Sequence, residues 1–328
     1  MKTHFCWIAI ALMLAWFSSG CRESVSTSVE IIETGLSAPI SLRALAFSHP
    51  DTGVAVGGYR YETTVILRTV DGGATWEPEQ TAGPVDRVMY SAYAEPSGFF
   101  LTGGNHDQVL IWNSGAEEWR PHFMFWGYLW SQVRAITRRD DSTLMAVAGG
   151  GYDRGLLVSS RDQGRSWQLV DSFEYELRDI HFVNDQTGLM AGFGTVFKTT
   201  DGGETWEFTT AEGDIFVSLD FPTASTGYVA GRAGTILKTT DAGATWEILR
   251  NGNSLTKPRH RYSRLRFWDS ELGYVVGDKG RMLMTENGGQ SWQPISLPFE
   301  NDLFDLYLRG EREGLLVGSD GLLAYVTW

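Results

Sequence analysis

Acidic residues recur at the same position of a motif that is repeated along this sequence. Carboxylates at regular spacing could bind a cation or transfer protons. Each lies in an eight-residue motif with a glycine two residues later, a serine or threonine four residues later and a tryptophan five residues later. The clear copies centre on Asp71, Asp162, Asp201, Asp241 and Asn287. A carboxylate that accepts hydrogen bonds from turn amides, followed by a glycine that tolerates positive φ, explains the same pattern without chemistry. We therefore predict that these residues stabilise hairpin turns and are neither catalytic nor metal-binding.

The spacing of this motif indicates the architecture. Successive Asp or Asn positions, including a degenerate copy at Asn113, lie 39 to 49 residues apart. Between them, short runs of partly alternating apolar and polar residues are separated by glycine-rich turns, as expected of short strands. A period near 40 with four strands per unit is typical of a β-propeller. The motif resembles the Asp-box of sialidase-like and related propellers. We predict an all-β, seven-bladed propeller with four-stranded antiparallel blades.

The two ends of the sequence complement each other in this scheme. The seventh repeat starts at Asp302, and its sequence up to Trp328 does not include an outermost strand. The segment 28–34 has strand character and precedes the first repeat. We predict that it completes the last blade and closes the ring, which removes an exposed sheet edge. Residues 30–328 would then form a single propeller domain.

The first 29 residues are expected to direct the chain to a membrane. Lys2 is followed by an apolar stretch and small residues before Cys21, which resembles a bacterial lipoprotein signal. We predict a signal peptide over 1–20, lipidation at Cys21 and a tether over 21–29, and therefore an extracytoplasmic protein anchored to the bacterial cell envelope. Without lipidation, the chain would be secreted.

Composition excludes several classes of function. With 27 Lys and Arg against 40 Asp and Glu, the net charge is −13, which argues against nucleic-acid binding. The two cysteines both precede the folded part, which excludes a disulfide or a cysteine nucleophile within it. The histidines show no metal-ligand spacing and no nucleotide-binding motif occurs, so we expect neither a metal nor a cofactor.

Two repeats carry a closer resemblance. The segments LRDIHFVNDQTGLMAGFGTVFKTTDGGETWEF (177–208) and SRLRFWDSELGYVVGDKGRMLMTENGGQSWQPI (263–295) are similar to the Ycf48/HCF136-like family. The resemblance extends over about residues 35–328 and implies a seven-bladed propeller. Its photosynthetic members act as assembly factors that bind a client membrane protein and perform no chemistry. An arginine patch is associated with the family.

Arginines provide the candidate binding site. Aligning the innermost strands on Phe47 and Phe182 puts one arginine at an equivalent position in each of the first four repeats: Arg43, Arg87, Arg134 and Arg178. These positions fall at the channel mouth on the upper face, opposite the Asp-box turns. Guanidinium groups suit carboxylate or phosphate recognition. The alternative is that each arginine pairs locally with an acidic residue between blades.

Loops on the upper face could extend this site. The longer loops of repeats 1 and 3 carry Tyr59, Arg60 and Arg154, and the connection after repeat 2 carries aromatic residues that include Trp126 and Trp130. Aromatic side chains on loops are candidate binding hot spots, although they could instead cover the inner ends of the blades. The connection after repeat 5 is basic over 251–264, which fits either a binding role or simple solvation.

The main alternative is a glycan-binding or glycoside-hydrolysing propeller. A sialidase would need three arginines, a Tyr–Glu pair and an acidic residue, and the Arg-Ile-Pro tripeptide that marks its first arginine is absent. Another hydrolase could use two upper-face acids among Glu62, Asp107 and Asp153. We expect instead a non-catalytic, monomeric propeller that binds a protein partner, an envelope or membrane protein, through its arginine-lined upper face.

Overall fold

The computed structural model describes residues 27–328 except 37–38, 61, 84, 107, 114, 125–130, 152 and 255–258. All regular elements in this part of the chain are β-strands. No helix within it is long and apolar enough to cross a membrane. The predictions for the signal peptide, Cys21, Trp126, Trp130 and Asp107 lie outside the described residues.

The strands follow one another in antiparallel order. The first sheet contains β2 (Ser41–Phe47), β3 (Gly53–Tyr59), β4 (Thr63–Thr69) and β5 (Glu77–Pro78), and the second β6 (Met89–Glu95), β7 (Phe99–Gly104), β8 (Gln108–Trp112) and β9 (Arg120–Phe123). The third contains β10 (Gln132–Asp140), β11 (Thr143–Gly149), β12 (Gly155–Ser160) and β13 (Gln168–Phe173).

The remaining strands form three further sheets. The fourth contains β14 (Leu177–Phe182), β15 (Gly188–Thr199), β16 (Glu207–Asp220), β17 (Gly227–Gly231), β18 (Ile236–Thr239) and β19 (Glu247–Arg250). The fifth contains β20 (Tyr262–Phe267), β21 (Gly273–Gly277), β22 (Arg281–Thr285) and β23 (Gln293–Ile295). The last contains β24 (Leu303–Gly310), β25 (Glu313–Gly318), β26 (Leu323–Thr327) and β1 (Ser28–Ile31).

The prediction of an all-β propeller is confirmed, but the prediction of seven four-stranded blades is wrong. Hydrogen bonding groups the described strands into six sheets, five with four strands and one with six. The six-stranded sheet holds repeats 4 and 5. Strand β15 continues through the turn at Gly194, and β16 continues from the outer strand of repeat 4 into the inner strand of repeat 5. The two repeats are merged because the connection between them is itself extended.

The innermost strands surround a central channel. They contact one another in a closed cycle, from β2 through β6, β10, β14, β16, β20 and β24 back to β2. Apolar clusters fill the spaces between neighbouring sheets, and the largest includes Tyr274, Leu306 and Trp328. This packing holds the inner ends of the strands, and hence the channel mouth, in fixed positions.

The N-terminal strand completes the last sheet, as the sequence predicted. Strand β1 pairs antiparallel with β26, from Ser28 opposite Thr327 to Ile31 opposite Ala324. The main-chain N–H of Ile32 then donates to the Leu323 carbonyl at 2.9 Å. Val29 packs against the apolar cluster that includes Trp328. The ring is therefore closed by pairing of the two ends of the described chain.

Candidate functional site: an arginine-lined channel mouth

The Asp-box acids are fully occupied by hydrogen bonds within their own turns. The Asp201 carboxylate accepts bonds from the Thr205 N–H at 3.0 Å, the Thr205 hydroxyl at 2.6 Å and the Thr199 hydroxyl at 2.7 Å. The Thr199 oxygen also accepts the Gly203 N–H at 2.9 Å. The same arrangement recurs at Asp71, Asp162, Asp241 and, with an amide group, Asn287.

These bonds favour the ionised form of the carboxyl groups. The side-chain hydrogen bond from Thr245 is the largest influence on Asp241 and lowers its pKa to about 2. The corresponding bond from Thr205 brings the pKa of Asp201 well below its usual value. Among the described residues, no group of three His, Cys, Asp or Glu side chains is placed to hold a metal ion.

A bulge in each innermost strand builds the channel mouth. In all seven of these strand segments the pairing with the next strand skips one residue. The skipped residues all line one cavity of about 260 Å³: Arg43, Tyr90, Arg134, Arg178, Val217, Ser263 and Phe304. A β-bulge redirects a side chain in this way. We call this cavity the mouth.

Glycine on the facing strand allows the backbone to approach closely at the bulge. A Cβ atom at Gly57 would lie 1.9 Å from the Ser41 carbonyl oxygen, and one at Gly277 would lie 1.9 Å from that of Arg261. Neither contact is sterically allowed, so any larger residue would displace the inner strand. The recurring glycine at the end of the second strand is thus a sequence signal for the position of the mouth.

The prediction for Arg87 is wrong in repeat 2. Tyr90, three residues later, is the bulge residue and lines the mouth, whereas Arg87 does not. Its guanidinium instead donates to the neighbouring Asp86 carbonyl at 2.8 Å. The alignment matched Arg87, which precedes strand β6, in place of the bulge residue three positions later.

Three further arginines line the mouth and were not among the predicted site residues. Arg232 comes from the short turn between β17 and β18, and Arg261 and Arg264 come from the basic segment before and within β20. Asp278 and Asp302 are the acidic lining residues of this cavity. Six arginines therefore face two aspartates there. The basic composition of segment 251–264 was the sequence signal that could have identified Arg261 and Arg264.

Two of the predicted arginines share one buried carboxylate. Arg134 donates to one Glu176 oxygen at 2.8 Å and Arg178 to the other at 2.7 Å. The Glu176 side chain is only 2% exposed. Burial, followed by repulsion from Arg134, lowers the pKa of Arg178 to about 10, so it stays protonated at neutral pH. The alternative of local ion pairing therefore applies to Arg134 and Arg178. However, the single charge of Glu176 compensates only one of their two positive charges.

Arg43 has a different environment. Its guanidinium carbon lies 4.6 Å from the ring centroid of Phe304 and 5.3 Å from that of Tyr90, which places it over two aromatic faces. Its Nε atom is buried without a hydrogen-bond partner, and no carboxylate of the described residues forms an ion pair with it. Burial lowers its pKa. Cation–π contacts stabilise such a group only modestly, so its charge remains largely uncompensated.

A buried ion-pair network supports the mouth. Arg264 donates to Asp305 at 2.8 Å and lies 3.5 Å from Asp179. Each carboxylate also accepts a main-chain N–H from the next inner strand: Asp305 from Leu45 at 2.9 Å and Asp179 from Leu219 at 2.8 Å. Burial alone would lower the pKa of Arg264, but the two aspartates outweigh it and raise the pKa. These contacts join five inner strands and fix the lining residues.

The predicted loop residues lie outside the mouth. Arg60 stacks on Tyr59, with 5.0 Å between its guanidinium carbon and the ring centroid, and Arg154 is exposed. None of the three lines the cavity. The candidate hydrolase acids Glu62 and Asp153 are also exposed and do not line it. The structure thus brings together Arg43, Arg134 and Arg178 but not the remaining predicted residues that it describes.

Sequence comparisons show which family the chain resembles. The chain matches the family described as "Photosynthesis system II assembly factor YCF48" over residues 158–260 and 209–301. It is also 29% identical over 184 residues to the "Photosystem II assembly lipoprotein Ycf48" of Trichormus variabilis (strain ATCC 29413 / PCC 7937). The chain is therefore similar to the Ycf48 family in this region. The alignment covers 52% of the chain and spans about half, 47%, of that curated relative.

Solved structures share the fold of this Ycf48-like chain. One, titled "YCF48 bound to D1 peptide", superposes with a TM-score of 0.71 at 16% identity and covers 93% of this chain and 99% of its own. YCF48 from Cyanidioschyzon merolae gives a TM-score of 0.69 at 15% identity, with 90% and 98% covered. The WD40 propeller domain of Doa1 gives 0.67 at 14% identity, with 92% and 97% covered. At these identities the likeness establishes the fold alone.

Proposed function

We propose that this chain is a non-catalytic binding propeller that recognises an anionic group of a protein partner in the mouth. The observation that carries the proposal is Arg43, a half-buried guanidinium on two aromatic rings with no carboxylate partner among the described residues. An unpaired cation in a partly desolvated position gains more from a carboxylate or phosphate than an exposed one does.

The neighbouring arginines support the same function. Arg134 and Arg178 together carry two positive charges against the single charge of Glu176. Their Nε atoms, like that of Arg43, are buried without a partner. An incoming anion would therefore meet excess positive charge across the mouth, held in place by the Arg264 network beneath it. The solved relative titled as bound to D1 peptide supports a protein partner for this chain.

We also infer where the protein is located. The curated relative is named as a lipoprotein, which supports lipidation of Cys21 and an extracytoplasmic position at the cell envelope. Because β1 starts at Ser28 in the last sheet, the residues between Cys21 and Ser28 would form a short tether. The partner would then be an envelope or membrane protein, bound by a monomeric propeller. The five Asp-box residues would act only as turn stabilisers.

The proposal is tested by recovery of partners from an envelope extract. Arg43→Met keeps the aliphatic stem between Tyr90 and Phe304 but removes the charge, and it leaves Glu176 paired. The matched control is Arg87→Met, which removes an arginine of the same face outside the mouth. Proteins recovered with the wild type and the control should be lost with Arg43→Met. Equal recovery with all three would overturn the proposal.

We infer that the protein is not a glycoside hydrolase. Glu62 and Asp153 are exposed and lie outside the mouth. A screen against a panel of glycoside substrates should give no turnover. Turnover by the wild type that is lost in Asp153→Asn would contradict this.

A further inference from the structure

A second basic cavity lies directly beside the mouth. Its volume is about 770 Å³, within the roughly 300–1,000 Å³ typical of ligand sites. It lies between the ends of repeats 4, 5 and 6, with walls from Phe193, Ile215 and Asn253. It shares Arg232 and Arg261 with the mouth, so the two cavities are adjacent. We call it the groove.

The groove carries excess positive charge. Arg232, Arg259 and Arg261 line it and are exposed. Asp214 is the acidic lining residue, but it is only 7% exposed. Its oxygens accept the main-chain N–H groups of Ile215 at 2.6 Å, Ala233 at 2.8 Å and Thr235 at 3.1 Å. Those amides compensate Asp214, so it competes little for the arginines.

The pairing of Arg261 leaves it available to a ligand. Its Nε atom lies 3.8 Å from Asp278, and the Arg261 side chain is 65% exposed. An ion pair at that distance and exposure contributes little. In a chain of net charge −13, two adjacent cavities lined by arginines from Arg43 to Arg259 are a local feature that composition does not explain. Charge complementarity therefore favours an acidic ligand along both the mouth and the groove.

We propose that the mouth and the groove form one track for an extended acidic segment of the partner. One acidic side chain or chain end binds in the mouth at Arg43, and a second acidic group binds in the groove at Arg232 and Arg259. The mouth, at about 260 Å³, is too small for a folded surface but admits a single side chain. The proposal rests on the proposed function and specifies the chemistry of its partner.

Designed peptides test the track. The probe is a fluorescein-labelled peptide with two Glu-Glu pairs joined by a Gly-Ser spacer, used as a spacer-length series. The comparison peptide has one pair replaced by Gln-Gln. Because two linked sites act together through a high effective concentration, the two-pair peptide of best length should bind at least about tenfold more tightly than the one-pair peptide. Fluorescence anisotropy measures both affinities.

Protein variants assign the two ends. The groove variant, Arg232→Gln with Arg259→Gln, should reduce the affinity of the two-pair peptide to that of the one-pair peptide for the wild type. Arg43→Gln, which alters the mouth, should reduce it by the same amount. Arg120→Gln, an exposed arginine on β9, is the matched control and should change neither. No measurable binding of the two-pair peptide, equal affinity of the two peptides for the wild type, or unchanged binding by the groove variant would each overturn the track.

The outcome is separable from failure of the proposed function. If Arg43→Met loses the envelope partner while the groove variant binds the two-pair peptide normally, the mouth functions without the track. If Arg43→Met keeps the partner, the proposed function itself is wrong. The two experiments therefore fail independently.

Discussion

Removing the Asp305 carboxylate should destabilise the whole ring. Asp305 is 2% exposed and contacts two other inner strands: it accepts the Leu45 N–H at 2.9 Å, across the junction where the ring closes, and the Arg264 Nε at 2.8 Å. Asp305→Ala leaves both groups without that partner, together with the Leu306 N–H that donates to the same carboxylate. Arg264 then retains only Asp179, at 3.5 Å.

The expected magnitude follows from these losses. Leaving a buried N–H unsatisfied costs about 1–3 kcal/mol, and breaking a buried ion pair by removing one partner costs about 3–5 kcal/mol. Because the two effects share one carboxylate and are not independent, we expect a loss of about 3–5 kcal/mol in the free energy of unfolding. Arg264→Met should cost less, since Asp305 keeps the N–H groups of Leu45 and Leu306.

A double-mutant cycle isolates the ion pair. The free energy of unfolding is measured by guanidinium titration with tryptophan fluorescence for wild type, Asp305→Ala, Asp305→Asn, Arg264→Met and the variant that combines Asp305→Asn with Arg264→Met. We expect a coupling energy of about 1–3 kcal/mol between the two sites. Asp153→Asn, an exposed acid, is the control. A loss below about 1 kcal/mol for Asp305→Ala, or a coupling energy near zero, would refute this account of the channel.

Three further predictions concern the ring and its turns. Deleting residues 28–35 removes β1 from β26 and should lower the melting temperature of the entire propeller; calorimetry showing an unchanged transition would contradict the closure. Thr199→Val leaves the buried Gly203 N–H unpaired and should cost about 1–3 kcal/mol in denaturant titrations, whereas Thr210→Val, outside the motif, should cost less. Since Thr245 lowers the pKa of Asp241 from 3.8 to about 2, ionised Asp241 stabilises the fold above pH 4, and this contribution is lost between pH 4 and 2. The stability difference between wild type and Asp241→Asn should shrink over that interval, and a constant difference would contradict it.

The repeat determined how much of the fold could be predicted. Each Asp-box turn is a local structure, formed by hydrogen bonds among residues at most four apart, such as those of Asp201. Local sequence therefore predicted the turns, the strands and the closing role of residues 28–34. The merging of repeats 4 and 5 into one sheet was not predictable in this way. It depends on whether the segment that connects the two repeats forms strand hydrogen bonds along its whole length, which the local sequence does not determine.

The site was predicted only where the repeats align without shifts. Arg43, Arg134 and Arg178 were found because a bulge at one position acts the same way in each repeat. Arg87 was misassigned because it precedes β6, whereas the bulge of that strand falls three residues later, at Tyr90. Arg232 reaches the mouth from a turn, and its contribution depends on tertiary geometry that periodicity does not contain.

The central claim is that the mouth binds an anionic group of a protein partner, and crosslinking from inside it is the most direct test. A photo-crosslinking amino acid at Val217, an uncharged lining residue, would be activated in intact cells. We predict a covalent adduct with one envelope protein, lost when Arg43→Met is added and kept with Arg87→Met. Absence of an adduct, or an adduct that survives Arg43→Met, would contradict the claim.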